Sequence, residues 1–327
     1  MADPDIEMRQ HFVRRRDEWN ETDVDHEAFQ ETLSDATLVD NHFHVPVNPD
    51  TESGGGEGDG GDASGHEARM AALDRVVDWM DAVGIDRILA QPLESPEASR
   101  EYIPTWWVFE AAAAYPDRIV PFCCLDPRFN AWEGYDWFAE RIDEFVERGA
   151  RGFGELKIGM DIDDTRLQML YDICAKRDLP ILFHLDGSRA RDEIGLPGLE
   201  RMVRKFPDLD FVMHAHGWWA HISADVKPSE TNSYPDGPVE PGGRVDELLT
   251  EYDNVYGDIS AGSGFNALTR DPEYGQAFLE RHHEQLVWGS DVFEPTEVPQ
   301  FAFFERFDLS TEAWENIRFR NIEAVMR

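Results

Sequence analysis

The sequence predicts an α/β fold, a (β/α)8 TIM barrel with an N-terminal helical extension, and three observations predict it. Eight short apolar runs alternate with amphipathic stretches over residues 37–327. The intervals between the runs are long enough for a helix to return the chain to a neighbouring parallel strand. Polar residues recur where each apolar run should simply end, the edge on which such barrels gather their functional groups. A doubly wound open sheet would share the alternation, but the count of eight and the polar strand ends favour the barrel. At 327 residues and 41% hydrophobic content the chain can bury a large core, and α/β barrels reach this length as one domain.

Taken in order, residues 1–36 read as a helical extension with one polar face. The first strand follows at Thr37–Val45. Residues 48–65 are rich in glycine and acid and read as a flexible loop. The Gly-rich run in this loop lacks the preceding strand and following helix of a dinucleotide fingerprint. In Glu67–Val83, Met70, Leu73, Val77 and Met80 recur at helical spacing. The remaining strands are expected at Asp86–Pro92, Arg118–Leu125, Gly152–Ile158, Pro180–Asp186, Asp210–His216, Asn254–Ser260 and Gln285–Val292. Helices are expected between them at 98–115, 131–148, 165–178, 197–206, 243–252 and 272–283, with final helices in 297–327.

A net charge of −37 is spread along the whole length. Phosphate repels such a chain, so nucleic acid and anionic membranes are disfavoured partners. No apolar run is long enough for a transmembrane helix, and no signal peptide is visible. Lysine occurs only at Lys157, Lys176, Lys205 and Lys227. Molar salt screens this much like charge, so a halophile's protein is expected. The three cysteines, Cys123, Cys124 and Cys174, make no disulfide framework, which leads to the expectation of a reduced, cytoplasmic protein. A small molecule is the expected partner, with a homodimer left open.

The first strand ends in His42-Phe43-His44. Alternate residues share a strand face, so both imidazoles point into the barrel mouth about 7 Å apart along the strand. Imidazole is the commonest metal ligand, although two hydrogen-bonded loop histidines would give the same pattern. His184 ends the fifth strand, His214 the sixth and Asp291 the eighth. An Asp at a strand end is often only a helix cap, but capping alone does not account for His or Asp on so many strand ends. A divalent metal site is therefore expected.

These residues carry a resemblance. HFH on the first strand, single histidines ending the fifth and sixth, and Asp ending the eighth resemble the amidohydrolase superfamily. The segments GFGELKIGMDIDD, HGWWAHIS and YGDISAGSGFNALTRDPEYG are similar to members of its amidohydrolase 2 branch, which includes aminocarboxymuconate-semialdehyde decarboxylase and related hydrolases, decarboxylases and hydratases. The resemblance spans residues 37–293. It implies His42, His44, His184 and Asp291 as metal ligands, with zinc the expected ion. It also implies His214 as the acid/base or substrate-polarising group and Asp291 as the proton acceptor from a metal-bound water. His216 shares a strand face with His214 and is the alternative for that role.

Glu155 and Lys157 also share a face. Either could serve the metal site, as a Glu ligand or a carboxylated lysine between two ions. Lys157 could instead grip a substrate carboxylate, or the two could form a structural ion pair. Arg189 and Arg191 are candidates for holding an anionic substrate, against the plainer reading of a solvated loop. The Ala261-Gly262-Ser263-Gly264 segment reads as a turn, and Trp106, Trp107, Trp218 and Trp219 as a roof over the pocket or as core. The expected activity is hydrolysis of a small, carboxylate-bearing amide, lactone or ester by a metal-activated water. Decarboxylation (or hydration) of a small unsaturated or aromatic acid is the alternative, and a non-catalytic metal-binding barrel a lesser one.

Overall fold

The computed structural model describes residues 37–47 and 63–326. The expected extension at 1–36 and most of the 48–65 loop lie outside the described residues. The last residues of that loop, 63–65, instead begin a helix, Ala63–Val83 (α1).

All eight expected strands form, each shorter than its apolar run: β1 Val39–Phe43, β2 Arg87–Ala90, β3 Ile119–Pro121, β4 Phe153–Leu156, β5 Ile181–His184, β6 Phe211–His214, β7 Val255–Asp258 and β8 Leu286–Val287. They pair in parallel as β1-β2-β3 and β4-β5-β6-β7-β8. Parallel bridges Cys123–Phe153 and Phe43–Val292 join the two groups at both seams. Asn41 N donates to Trp288 O at 3.0 Å and Asp291 N to His42 O at 2.7 Å, so β8 returns to β1 and the barrel closes.

The helices are α1, α2 Thr105–Ala114, α3 Gly134–Glu147, α4 Thr165–Ala175, α5 Pro197–Lys205, α6 His216–Ala220, α7 Arg244–Glu251, α8 Ala261–Thr269, α9 Pro272–His282, α10 Phe301–Arg306, α11 Thr311–Glu315 and α12 Asn321–Val325. Among the described residues, none is long and apolar enough to cross a membrane.

Two of these helices correct the sequence reading. His216 is expected to end the sixth strand but opens a helix, and 261–264, expected as a turn, are helical. Helix α8 is buried almost throughout, so it has no polar face to give a helical period, and its two glycines lower its propensity. Gly264 is needed there because a Cβ would lie 2.5 Å from the Ile259 backbone.

Strand alternation sorts the core into two layers. Val39, Leu89, Phe122, Leu182, Val212 and Val287 pack with Ile322 and Val325 of α12 in a cluster of their own. On β5 and β6, Leu182 and Val212 share a face with His184 and His214, so the face that fills the barrel lower down carries imidazoles at its mouth. The opposite face, with Phe183 and Phe211, packs on Tyr171 of α4, with ring centroids 5.7 and 5.6 Å from it.

Candidate metal centre

Strand ends bring His42, His44, Glu155, His184, His214 and Asp291 together. His42, His44, Glu155 and His214 are almost fully buried. Asp291, with its side chain 19% exposed, is the most solvent-accessible of the group. Asp291 follows β8 in the left-handed region (φ 55°), a conformation Asp tolerates better than most residues.

The two β1 imidazoles are fixed through their Nδ1 atoms. His44 Nδ1 lies 3.0 Å from the Gln91 carbonyl oxygen, which can only accept, so this nitrogen carries the proton. His42 Nδ1 lies 2.7 Å from Asp258 Oδ2. Both Nε2 atoms therefore present lone pairs, and they approach to 3.2 Å. A carboxylate that accepts from the far side of an imidazole also makes it a better metal base. Asp258 is held in turn by Asn41 Nδ2 at 3.0 Å and Ser260 N at 3.0 Å.

Two carboxylate oxygens complete the convergence. Asp291 Oδ1 lies 3.4 Å from His42 Nε2 and 3.2 Å from His44 Nε2. Glu155 Oε2 lies 3.8 and 3.5 Å from the same atoms. It is buried without a hydrogen-bond partner. A buried ionised oxygen left in that state is costly, and a cation between it and two imidazole lone pairs would remove the cost. The donor set thus fits a divalent ion.

Electrostatics agree. Burial works against a charge on His42, yet Asp291, Asp258 and Glu155 raise its pKa well above the usual histidine range. Burial likewise opposes His44, which Asp291 and Glu155 raise. Burial would raise Asp291 and Glu155, but neighbouring imidazoles hold Asp291 well below the carboxylate range, and His184 and Lys157 do so for Glu155. The pocket attracts positive charge, which a metal can supply in place of protons.

His184, expected as a ligand, is engaged at both nitrogens. Nδ1 is 2.7 Å from Glu155 Oε1 and Nε2 is 3.1 Å from Asp186 Oδ2. Glu155, left open from sequence as a possible ligand, supplies an oxygen that converges on the β1 imidazoles. Glu155, His184 and His214 form a second group of donors within 4.8 Å of one another, so Glu155 faces two adjoining sets with its two oxygens. His214 Nε2 is 3.3 Å from Asp291 Oδ2, and its Nδ1 is 3.0 Å from Ser260 Oγ.

His216 is separated from this group because Ala215 (φ 81°) breaks the strand alternation. It opens α6, packs on Tyr234 with ring centroids 4.7 Å apart, and burial lowers its pKa to about 3.

The expected substrate-gripping cations are all paired. Arg189 Nε donates to Asp186 Oδ2 at 2.8 Å, the oxygen that faces His184. Arg191 is turned onto Asp161 at 2.9 Å and the Gly159 carbonyl oxygen at 3.2 Å, away from the converging group. Lys157 Nζ donates to Glu101 Oε2 at 2.5 Å. Of the four tryptophans named as a roof or core, Trp107, Trp218 and Trp219 are core and Trp106 is exposed, so they make no shared roof.

Sequence reasoning missed Asp258, Asp186, Ser260 and Gln91. Asp258 carried the same signal as Asp291, an acid ending an apolar run. Asp186 likewise ends the fifth run, whereas Ser260 and Gln91 act through hydrogen bonds that no pattern announces.

Comparison with known proteins adds the family. An uncharacterised TIM-barrel protein from Bordetella bronchiseptica is 18% identical, with TM-score 0.59 over 89% of this chain and 98% of that one. The 2,6-dihydroxybenzoate decarboxylase from Rhizobium is 15% identical, with TM-score 0.52 over 89% and 98%. The 5-carboxyvanillate decarboxylase from Novosphingobium aromaticivorans, complexed with manganese and 4-hydroxy-3-methoxy-5-nitrobenzoic acid, is 14% identical, with TM-score 0.52 over 89% and 96%. At these identities the likeness establishes the barrel fold. No curated protein matches the chain. The amidohydrolase family model matches residues 39–325, nearly the whole barrel, and the chain belongs to the amidohydrolase family.

Proposed function

We propose that this protein is a divalent-metal-dependent decarboxylase of a small aromatic or unsaturated carboxylic acid. The observation that carries the metal dependence is the unpartnered, buried Glu155 Oε2 beside two imidazole lone pairs. His42, His44, Glu155 and Asp291 would hold the ion, and Asp258 and Gln91 orient the imidazoles. His184, braced by Asp186 and Arg189, orients Glu155. A divalent ion of this kind supplies positive charge that polarises a bound substrate oxygen. Imidazole and carboxylate donors suit zinc and manganese alike.

Decarboxylation breaks one C–C bond, releases CO2 and places a proton on the carbon left behind. His214 and Asp291, 3.3 Å apart, are the pair that would keep that proton beside the substrate. Ser260 Oγ, at His214 Nδ1, sets the direction of the ring. Support for this reaction over hydrolysis comes from the structural neighbours that act on dihydroxybenzoate and carboxyvanillate.

The position of Glu155 favours a second reading. Its two oxygens face two donor groups, an arrangement suited to a carboxylate shared by two ions, which can clamp a hydrolytic transition state. Turnover of a panel of benzoates, lactones and amides in ¹⁸O-labelled water separates the two. CO2 evolved in step with substrate loss, with no ¹⁸O in the organic product, supports decarboxylation; ¹⁸O in a newly formed acid group and two ions per chain overturn it.

A further inference from the structure

The three cations that the sequence suggests for the barrel mouth differ in the partners they hold. Arg189 is tied to Asp186, whose side chain is 1% exposed. Arg191 and Asp161 are both on the surface. Lys157 alone is a buried cation with a solvent-facing partner, its side chain 10% exposed against 44% for Glu101.

Lys157 directly follows β4, two residues beyond Glu155. Its main chain is anchored, since Lys157 N donates to Glu155 O at 3.1 Å and its carbonyl oxygen accepts from Ser95 Oγ. The backbone that carries the ammonium is thus fixed at the end of the strand that supplies Glu155. Glu101 comes from outside the barrel, at the end of the 3₁₀ turn Pro96–Glu101.

The two partners differ in what separation costs. A half-exposed carboxylate rehydrates readily, and exposed ion pairs hold together weakly. A buried ammonium deprived of its carboxylate bears an uncompensated charge. The stable exchange is therefore one carboxylate for another at Lys157.

We propose that Lys157 is the anchor for a substrate carboxylate or other small organic anion, and that Glu101 is an internal stand-in that occupies this anion subsite until the substrate displaces it. This deepens the reading of the site as one for small carboxylic acids and rests on it. It requires neither decarboxylation nor a particular number of ions. An intramolecular competitor lowers apparent affinity by the fraction of time the subsite is open, so a Glu101 that is bound about nine-tenths of the time weakens an incoming anion about tenfold.

The test uses benzoate as the probe, titrated calorimetrically into manganese-loaded protein at fixed ionic strength, with benzamide as the uncharged control. Glu101→Gln is expected to tighten benzoate binding by about tenfold and to leave benzamide unchanged. Lys157→Met is expected to weaken benzoate, and Lys157→Arg to restore part of the loss. In the Lys157→Met background, Glu101→Gln should then have no effect, which a double-mutant cycle reads directly. Benzoate binding by Glu101→Gln that is no tighter than wild type, or absent from both, overturns the proposal. So does a Glu101→Gln protein that only melts earlier or loses metal, the result for a pair that merely props the turn against β4. CO2 release is measured separately, so the anion subsite and the decarboxylase reading can fail independently.

Discussion

His42 Nδ1 and Asp258 Oδ2 lie 2.7 Å apart, both fully buried, and this contact decides which ring nitrogen of His42 faces the other donors. It joins the end of β7 to β1 across the barrel mouth. Asp258→Asn removes the charge but keeps the shape. Metal affinity is expected to fall about 10–100-fold, as for other carboxylates that support a ligating histidine. Competition with a chromogenic chelator measures it. An unchanged affinity would mean that Gln91 and the strand geometry suffice to orient the pair.

The donor set makes a second expectation. Glu155→Gln should strip most of the metal from protein purified without added ion, and the double substitution His42→Ala, His44→Ala should do the same. Neither should lower the melting temperature greatly, because the Leu182–Val212 layer lies below the site. His184→Asn is expected to retain an ion, because its nitrogens contact Glu155 and Asp186. Elemental analysis that finds His184→Asn empty would return His184 to the ligand set that the family resemblance implies.

His214 and His216 are two residues apart, yet their environments predict opposite outcomes. His214→Asn should keep the metal and lose turnover by about 10²–10⁴-fold, the usual range for a general acid or base. His216→Asn should leave kcat within about tenfold of wild type, below that range, since its ring lies against Tyr234. The reverse pattern would place the working imidazole on α6.

Legibility in the sequence follows the same residues. Leu182/His184 and Val212/His214 could be read because alternation along a strand is a local rule, and it correctly placed apolar filling below polar groups. His216 broke the rule through Ala215, whose positive φ leaves no mark in an alanine's identity. Asp258 was overlooked although it ends β7 as Asp291 ends β8. Glu155 was legible as an inward-facing acid, but which imidazoles it faces depends on where the side chains turn, which spacing does not determine. Arg189 looked like a substrate clamp because its partner, Asp186, is revealed only by the loop that folds back on β5. Helix α8 stayed hidden because burial on every side erases the period that identifies helices.

Helix α8 also supplies a prediction about the fold. A Cβ on Gly264 would sit 2.5 Å from the carbonyl carbon and oxygen of Ile259. Neither backbone atom can move without displacing β7, so Gly264→Ala is expected to cost about 1–3 kcal/mol, the usual range for overpacking. Urea denaturation checks this. A loss below about 0.5 kcal/mol, the scale of a neutral surface change, would show that α8 can lift from the strand.

The net charge of −37 has a physical consequence whatever the chemistry at the barrel mouth. Like charges spread over one surface repel, and folding brings them closer together. At molar salt the screening length shrinks to about 3 Å, so most of that repulsion is removed. If the acidity is an adaptation to a saline interior, the melting temperature should climb steeply from low to molar KCl. Sodium chloride should act similarly, since screening depends on ionic strength rather than on the cation. The rise should persist in the His42→Ala, His44→Ala protein, which separates surface repulsion from any salt effect on the metal centre. Some acids are already neutralised locally, as where Arg128 holds Glu97 and Asp126 together at 2.6 and 2.5 Å. Salt weakens ion pairs to the extent that they are exposed, so the measured slope is the balance of the two effects. With so large an excess of acid, relief of repulsion should win. A melting temperature that stays flat or falls between low and molar KCl would overturn the halophilic reading.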